Sequence, residues 1–293
     1  MRYEKPWLSV EEQADLLIEK KGLICDRGRL VKHLEEVGYY RLSAYWFPYK
    51  TKNEKGEGIF RPGTDFAFVW RTYVFDKKLR LLMFDAVERI EVFVKNRIAC
   101  LMAAAAGPFG YPDEDAPRLK NEYRKARRTE QFIKHFDVLY GDSHELPPYW
   151  MMMEVVSMGT VESLYSHIPV EARVAVADAF AVKVPVMKSW LSVARVARNA
   201  CCHHSRVWNR IWGVAPAVPR NWTDFEADSH RTFAVLTVFN YMLSCIKPGH
   251  SWGLKVKALL EEYEDVPKEK LGFPSDWESM KAWSGGPLLP ASR

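Results

Sequence analysis

The sequence predicts an all-α protein. Apolar residues recur at three- and four-residue steps over long stretches, no segment sustains strand-like alternation, and helix-starting and helix-stopping residues punctuate the chain. With 293 residues, 48% hydrophobic and 27% charged, the chain can bury a full core. Three parts are expected: an N-terminal helical hairpin with an aromatic docking segment over 1–63, a helical domain over 64–265, and a C-terminal tail over 266–293.

Ser9-Val10-Glu11-Glu12 is a capping box, and it opens a helix carrying Ala14, Leu17 and Ile18 on one face. A second helix is expected from Asp26, with Leu30, Leu34 and Val37 at helical spacing and Gly38 as its stop. Gly38 to Tyr49 holds six aromatics in twelve residues, with Arg41 among them. Two readings stand: these rings pin the hairpin to the body, or Tyr39, Tyr40 and Arg41 stack on unpaired RNA bases. Thr51 to Gly63, rich in Lys, Gly, Glu and Asn, reads as an exposed loop.

From Thr64 a long amphipathic helix is expected, carrying Leu79, Leu82, Met83, Ala86, Val87, Ile90, Val94 and Ile98 and ending at Gly107-Pro108. Glu88 and Glu91 share a face, but Arg89 and Lys95 are near enough to neutralise them, so a salt-bridged face is preferred to an acid/base pair. Pro117 to Gly141 reads as one helix and the most basic segment, where Arg124, Arg127 and Arg128 suit a phosphate backbone or simply a solvated face. Met151 to Ser157 is a short apolar helix ending at Gly159. Helices over Thr160 to His167 and Val170 to Ala181 follow, and Pro185 opens another. Further helices are expected from about Asp228 to Ile246 and from Ser251 to Tyr263, before a frayed tail at Gly285-Gly286-Pro287.

The net charge of +5 permits an anionic partner without demanding one. Five scattered cysteines point to reduced thiols and a cytoplasmic location. The charged start lacks the apolar core of a signal peptide, and no apolar run approaches the roughly 20 residues of a membrane span. No glycine-rich phosphate loop and no metal-ligand spacing stand out, so neither a cofactor nor a metal is expected.

The densest polar cluster follows the apolar helix from Pro185. Residues 198–210 hold three arginines, two asparagines, two histidines and a serine. Arg198 and His203 fit the loose Arg-x(4–6)-His signature of HEPN ribonucleases, but Arg27 to His33 and Arg128 to His135 fit the same spacing. The central copy differs in having Asn199 directly after the arginine and His204 beside the histidine. On a helix, Arg195, Asn199 and His203 share one row and Arg198, Cys202 and Arg206 the next, so one groove is expected to hold them. Arg198 and His203 would lie about 140° apart on a regular helix, so they flank a groove or the helix ends between them.

Cleavage of RNA by its own 2′-hydroxyl needs a proton acceptor, a proton donor and positive charge for the phosphorane. Imidazole, with an ordinary pKa of about 6.5, does the proton work, and a guanidinium fork holds phosphate oxygens. His203 is therefore the candidate base or acid, Arg198 the clamp, Asn199 a positioning donor and His204 a second proton carrier; Arg195, Arg206 and Arg210 are candidate RNA contacts. Two proton roles against one clear histidine argue for a homodimer with a composite site.

These residues carry a family resemblance. Gly38-Tyr39-Tyr40-Arg41-Leu42-Ser43 with Tyr45-Trp46, Phe75-Asp76 with Lys78-Leu79-Arg80 and Glu88 to Glu91, Pro147-Pro148 with Trp150 and Glu154, and Arg198-Asn199 through His203-His204 to Arg210 resemble, in order, the Abi-like abortive-infection proteins of AbiD/AbiF type. The resemblance implies a HEPN-type helical bundle with a small N-terminal helical extension and additional C-terminal helices. It also implies a phage-defence endoribonuclease that needs no metal and is held in check by a small non-coding RNA; the alternative is a non-catalytic HEPN module that binds RNA or dimerises. Cys202 stands where the pattern has alanine, and Ala44 where it has glycine.

Overall fold

The structure, a computed structural model, describes residues 2, 4, 6–225 and 227–284. The expected tail at Gly285 to Pro287 lies outside them. The fold is all-α: twelve α-helices and one two-stranded hairpin stand among the described residues. No helix is long and apolar enough to cross a membrane among those residues. The chain divides into two compact units, Met1–Leu79 with Leu259–Val266, and Arg80–Ala258 with Pro267–Arg293.

In the first unit, α1 (Val10–Asp15) starts at the Ser9 capping box, where the Glu12 carboxylate accepts from the Ser9 N–H at 2.7 Å. It runs on as a π turn over Leu16–Lys20. Asp26 caps α2 (Arg27–Val37), and Gly38 ends it at φ 87°, a conformation glycine adopts without strain. The aromatic segment is a helix, α3 (Tyr39–Trp46), with Leu42, Tyr45 and Trp46 buried. The expected loop at Thr51 to Gly63 is corrected to a hairpin: β1 (Lys50–Lys52) pairs antiparallel with β2 (Gly58–Phe60). Asn53 closes it by accepting from the N–H groups of Lys55 and Glu57, and Phe60 is buried edge-on to Trp46.

The long helix α4 (Phe66–Ala106) gives Phe66, Val69, Phe75 and Leu79 to the core of the first unit. Its later apolar stripe, Met83 through Ile98, is buried in the second. The single helix expected over Pro117 to Gly141 is corrected to two, α5 (Ala116–Thr129) and α6 (Gln131–Tyr140), parted at Glu130 in extended conformation. Tyr123 donates to Asp137 at 2.7 Å and Arg127 pairs with the same carboxylate at 2.6 Å. A straight helix would hold these residues roughly 15–20 Å apart, so the contacts require the break.

Next come α7 (Tyr149–Val155), α8 (Met158–His167) and α9 (Val170–Asp178). Gly159 lies inside α8 and does not end α7, because Ser157 caps a new helix there. From α5, Glu122 accepts from the Ser157 N–H at 2.7 Å and the Thr160 hydroxyl at 2.5 Å, binding the start of α8. Pro185 sits in the first turn of α10 (Val184–Cys202). After a loop come α11 (Thr232–Ile246), which starts four residues later than expected, and α12 (Trp252–Glu262).

Candidate functional site at the end of α10

The apolar face of α10, formed by Met187, Trp190, Leu191, Ala194, Ala197 and Cys201, is buried in the second unit. Its polar rows meet different neighbours. Arg195 donates through Nε to Glu162 on α8, whose other oxygen accepts from Ser192. Arg198 faces α4, with Nε 3.8 Å from Glu91. The single groove expected for these arginines is therefore two: Arg195 lines a cleft with α5 and α8, and Arg198 lines one with α4, α5 and α7.

The Glu91 carboxylate is also paired with Lys95 at 2.8 Å, which fits the salt-bridged face expected for α4. At 3.8 Å the Arg198 contact is Coulombic, beyond hydrogen-bond reach, so it leaves guanidinium N–H groups for another acceptor. The Arg198 cleft, about 700 Å³, is also lined by Glu122, Lys125 and Glu154.

Of the two arrangements the 140° separation allows, the structure shows the helix ending at the histidine. Cys202 is its last residue and His203 its cap. The His204 N–H donates to Cys201 and the Ser205 N–H to Ala200, with His204 at φ 54°. This is a Schellman closure with histidine where glycine is usual. Asn199, Cys202, His203 and His204 are exposed.

Beyond the cap, buried Val207 and Trp208 anchor the chain. The Thr232 hydroxyl donates to the Val207 carbonyl at 2.8 Å and accepts from the Trp212 indole at 3.1 Å. Arg206 and Arg210 work within this loop: Arg206 donates to the Asn209 carbonyl, Arg210 donates to the Arg206 carbonyl, and the Arg210 guanidinium lies 4.6 Å over the Trp212 ring. Arg231 in turn donates to the Asn209 side chain.

Other predicted contacts lie elsewhere. Tyr39, Tyr40 and Arg41 belong to the first unit. There Tyr39 packs edge-on to Trp46, burial pushing its hydroxyl pKa up, while Tyr40 and Arg41 are exposed. Arg124 and Arg128 are exposed on α5, and Arg127 is tied to Asp137. The competing Arg27 to His33 spacing is structural: Arg27 pairs with Asp15, and His33 stacks on Trp70 at 3.7 Å, burial lowering its pKa. The Arg128 to His135 spacing is split by the break at Glu130.

A model of the Abi-like protein family matches residues 32–209, well over half of the chain. The chain belongs to the Abi-like family. Membership associates it with abortive infection and phage defence, and the matched stretch runs through the cluster to Asn209. Neither a curated protein nor a solved structure matches the chain. One polar group of the second unit went unforeseen: buried Asp115 contacts His167 Nδ1 at 2.9 Å. The pair is 52 residues apart and left no local pattern to read.

Proposed function

We propose that this Abi-like protein is a HEPN-type endoribonuclease acting in phage defence. In this reading the RNA 2′-oxygen attacks the adjacent phosphorus, the bond from phosphorus to the 5′-oxygen breaks, and a 2′,3′-cyclic phosphate and a 5′-hydroxyl result. His203 takes the 2′-proton or supplies the proton to the leaving oxygen, and His204 is the second carrier. Arg198 neutralises charge on the phosphorane and Asn199 positions it.

The observation that carries this reading is the exposure of Asn199, His203 and His204 together at the end of a helix whose other face is buried. Arg198 adds a guanidinium whose carboxylate neighbour is shared with Lys95 and stands 3.8 Å away. The competing reading, a non-catalytic module, draws its phosphate grip from Arg198, Arg206 and Arg210. Two of those three arginines donate to loop carbonyls, which favours the catalytic reading. Pairing of two chains about the α10 ends would give both proton roles to one composite cleft, and a small non-coding RNA is the proposed restraint on it.

The test is purified protein incubated with RNA in EDTA, with the fragment ends mapped. Wild type should leave 2′,3′-cyclic phosphate and 5′-hydroxyl ends. His203→Ala should lose about a hundredfold or more in rate while retaining RNA binding. Cleavage by His203→Ala at the wild-type rate would overturn the assignment.

A further inference from the structure

The second cleft of the same unit is built differently from the end of α10. Asp115 precedes α5 at its N-cap position yet makes no cap bond. Its carboxylate, 1% exposed, instead accepts from the Ser163 hydroxyl at 2.6 Å and faces His167 Nδ1 at 2.9 Å. Ser163 and His167 are four apart on α8 and so share a face. A buried carboxylate is costly unless it is satisfied. Both oxygens of this one are used, and one of them fixes an imidazole that is itself 37% exposed. With Nδ1 held by Asp115, the ring turns its Nε2 edge away from the carboxylate.

His167 lines a cleft of about 530 Å³ between α5, α8 and α10, together with Arg118, Lys188 and Arg195. Its lining carboxylate, Glu162, is occupied on both oxygens by Ser192 and Arg195. Arg118 donates to the Gly159 carbonyl at 3.0 Å, and neither it nor Lys188 forms an ion pair among the described residues. The two carboxylates are thus matched by donors of their own. Two cations and an oriented imidazole remain for a ligand, and the volume falls in the range of small-molecule sites, about 300–1,000 Å³.

We propose that this cleft is a phosphomonoester-binding site, with Arg118 and Lys188 supplying charge and His167, bound as an imidazolium whose Nδ1–H donates to Asp115, donating from Nε2 to a phosphate oxygen. The ligand is a free mononucleotide or the 5′-phosphate end of an RNA strand. The site is independent of cleavage at the α10 end and stands or falls without it.

Histidine imidazole signals, followed by NMR during titration, test this directly. The probes are inorganic phosphate, 5′-AMP, adenosine, and a tetranucleotide with and without a 5′-phosphate. The His167 signal, assigned by its loss in His167→Gln, should move saturably with phosphate and 5′-AMP and stay still with adenosine. Lys188→Glu and Arg118→Gln, both surface substitutions, should each weaken binding at least tenfold. Tighter binding of the 5′-phosphorylated tetranucleotide than of 5′-AMP would identify an RNA end as the ligand, and the reverse a free nucleotide. An unmoved His167 signal, wild-type affinity in Lys188→Glu, or movement of the His203 signal in its place would overturn the proposal.

Discussion

Thr232→Val removes one hydroxyl from the base of the loop that carries the α10 cluster and changes little else in side-chain shape. The hydroxyl joins two buried groups, the Val207 carbonyl at 2.8 Å and the Trp212 indole N–H at 3.1 Å, and Thr232 itself is fully buried. Valine leaves the indole donor without this acceptor, which costs about 1–3 kcal/mol. Loss of the bond to Val207 adds about 0.5–1.5 kcal/mol. A total of about 2–3 kcal/mol is expected. With an m value of about 2–3 kcal/mol/M, the urea midpoint should fall by about 1 M. Thr232→Ser is the control: it keeps both bonds and loses one buried methyl, about 1 kcal/mol. The assay is equilibrium urea unfolding, with exchange of the Trp212 indole proton as a local readout. If Thr232→Ser destabilises more than Thr232→Val, packing dominates this site and the bridging role of the hydroxyl is refuted.

Four further outcomes are expected. His204→Gly should raise stability by about 1 kcal/mol in urea unfolding, since glycine takes the φ 54° closure without strain, and should lower RNA cleavage if His204 carries a proton. Gly272→Ala should cost about 2–4 kcal/mol: φ is +85° and a Cβ would lie 2.4 Å from Arg231 Cβ, an atom too near the backbone to move aside. Gly213→Ala, which meets open space, should stay within about 0.5 kcal/mol of wild type. His250 should make the protein acid-sensitive. Its pKa is lowered, chiefly by burial, and its Nδ1 accepts from the Trp252 N–H at 3.1 Å. The unfolded chain therefore takes up a proton more readily, so the contribution is full above the ordinary histidine pKa and is lost as pH falls toward the lowered value. His250→Gln should flatten that dependence in urea unfolding followed over pH; an unchanged slope would remove His250 as its source.

Local chemistry made much of the fold legible. Ser9 with Glu12, Asp26 with Gly38, and Pro185 act on their own or adjacent backbone, so a short window of sequence contains the whole cause. The break at Glu130 was hidden because it is required by Tyr123 and Arg127 converging on Asp137. The hairpin was hidden because each of its strands is three residues long, too short to show alternation. At the site, angular spacing left two arrangements open for Arg198 and His203, a flanked groove or a helix end, and the cap at His203 decides between them only in the structure. The separation of Arg195 from Arg198 was not legible either, since it depends on Glu162 and Glu91, which reach α10 from helices distant in sequence. Gly159 misled for a related reason: the residue that starts α8 is Ser157, bound from α5 by Glu122.

The two arginine pairs of α10 also govern how the helix can move. Arg195 is hydrogen-bonded to α8 while Arg198 is drawn to α4 only across 3.8 Å, and three residues of helix set their directions about 60° apart around the axis. The helix is thus moored on one side and loosely sprung on the other, so Arg198 can swing to a new acceptor without breaking a hydrogen bond. The last turn lies beyond both pairs, and there the chain departs from helical geometry at His204.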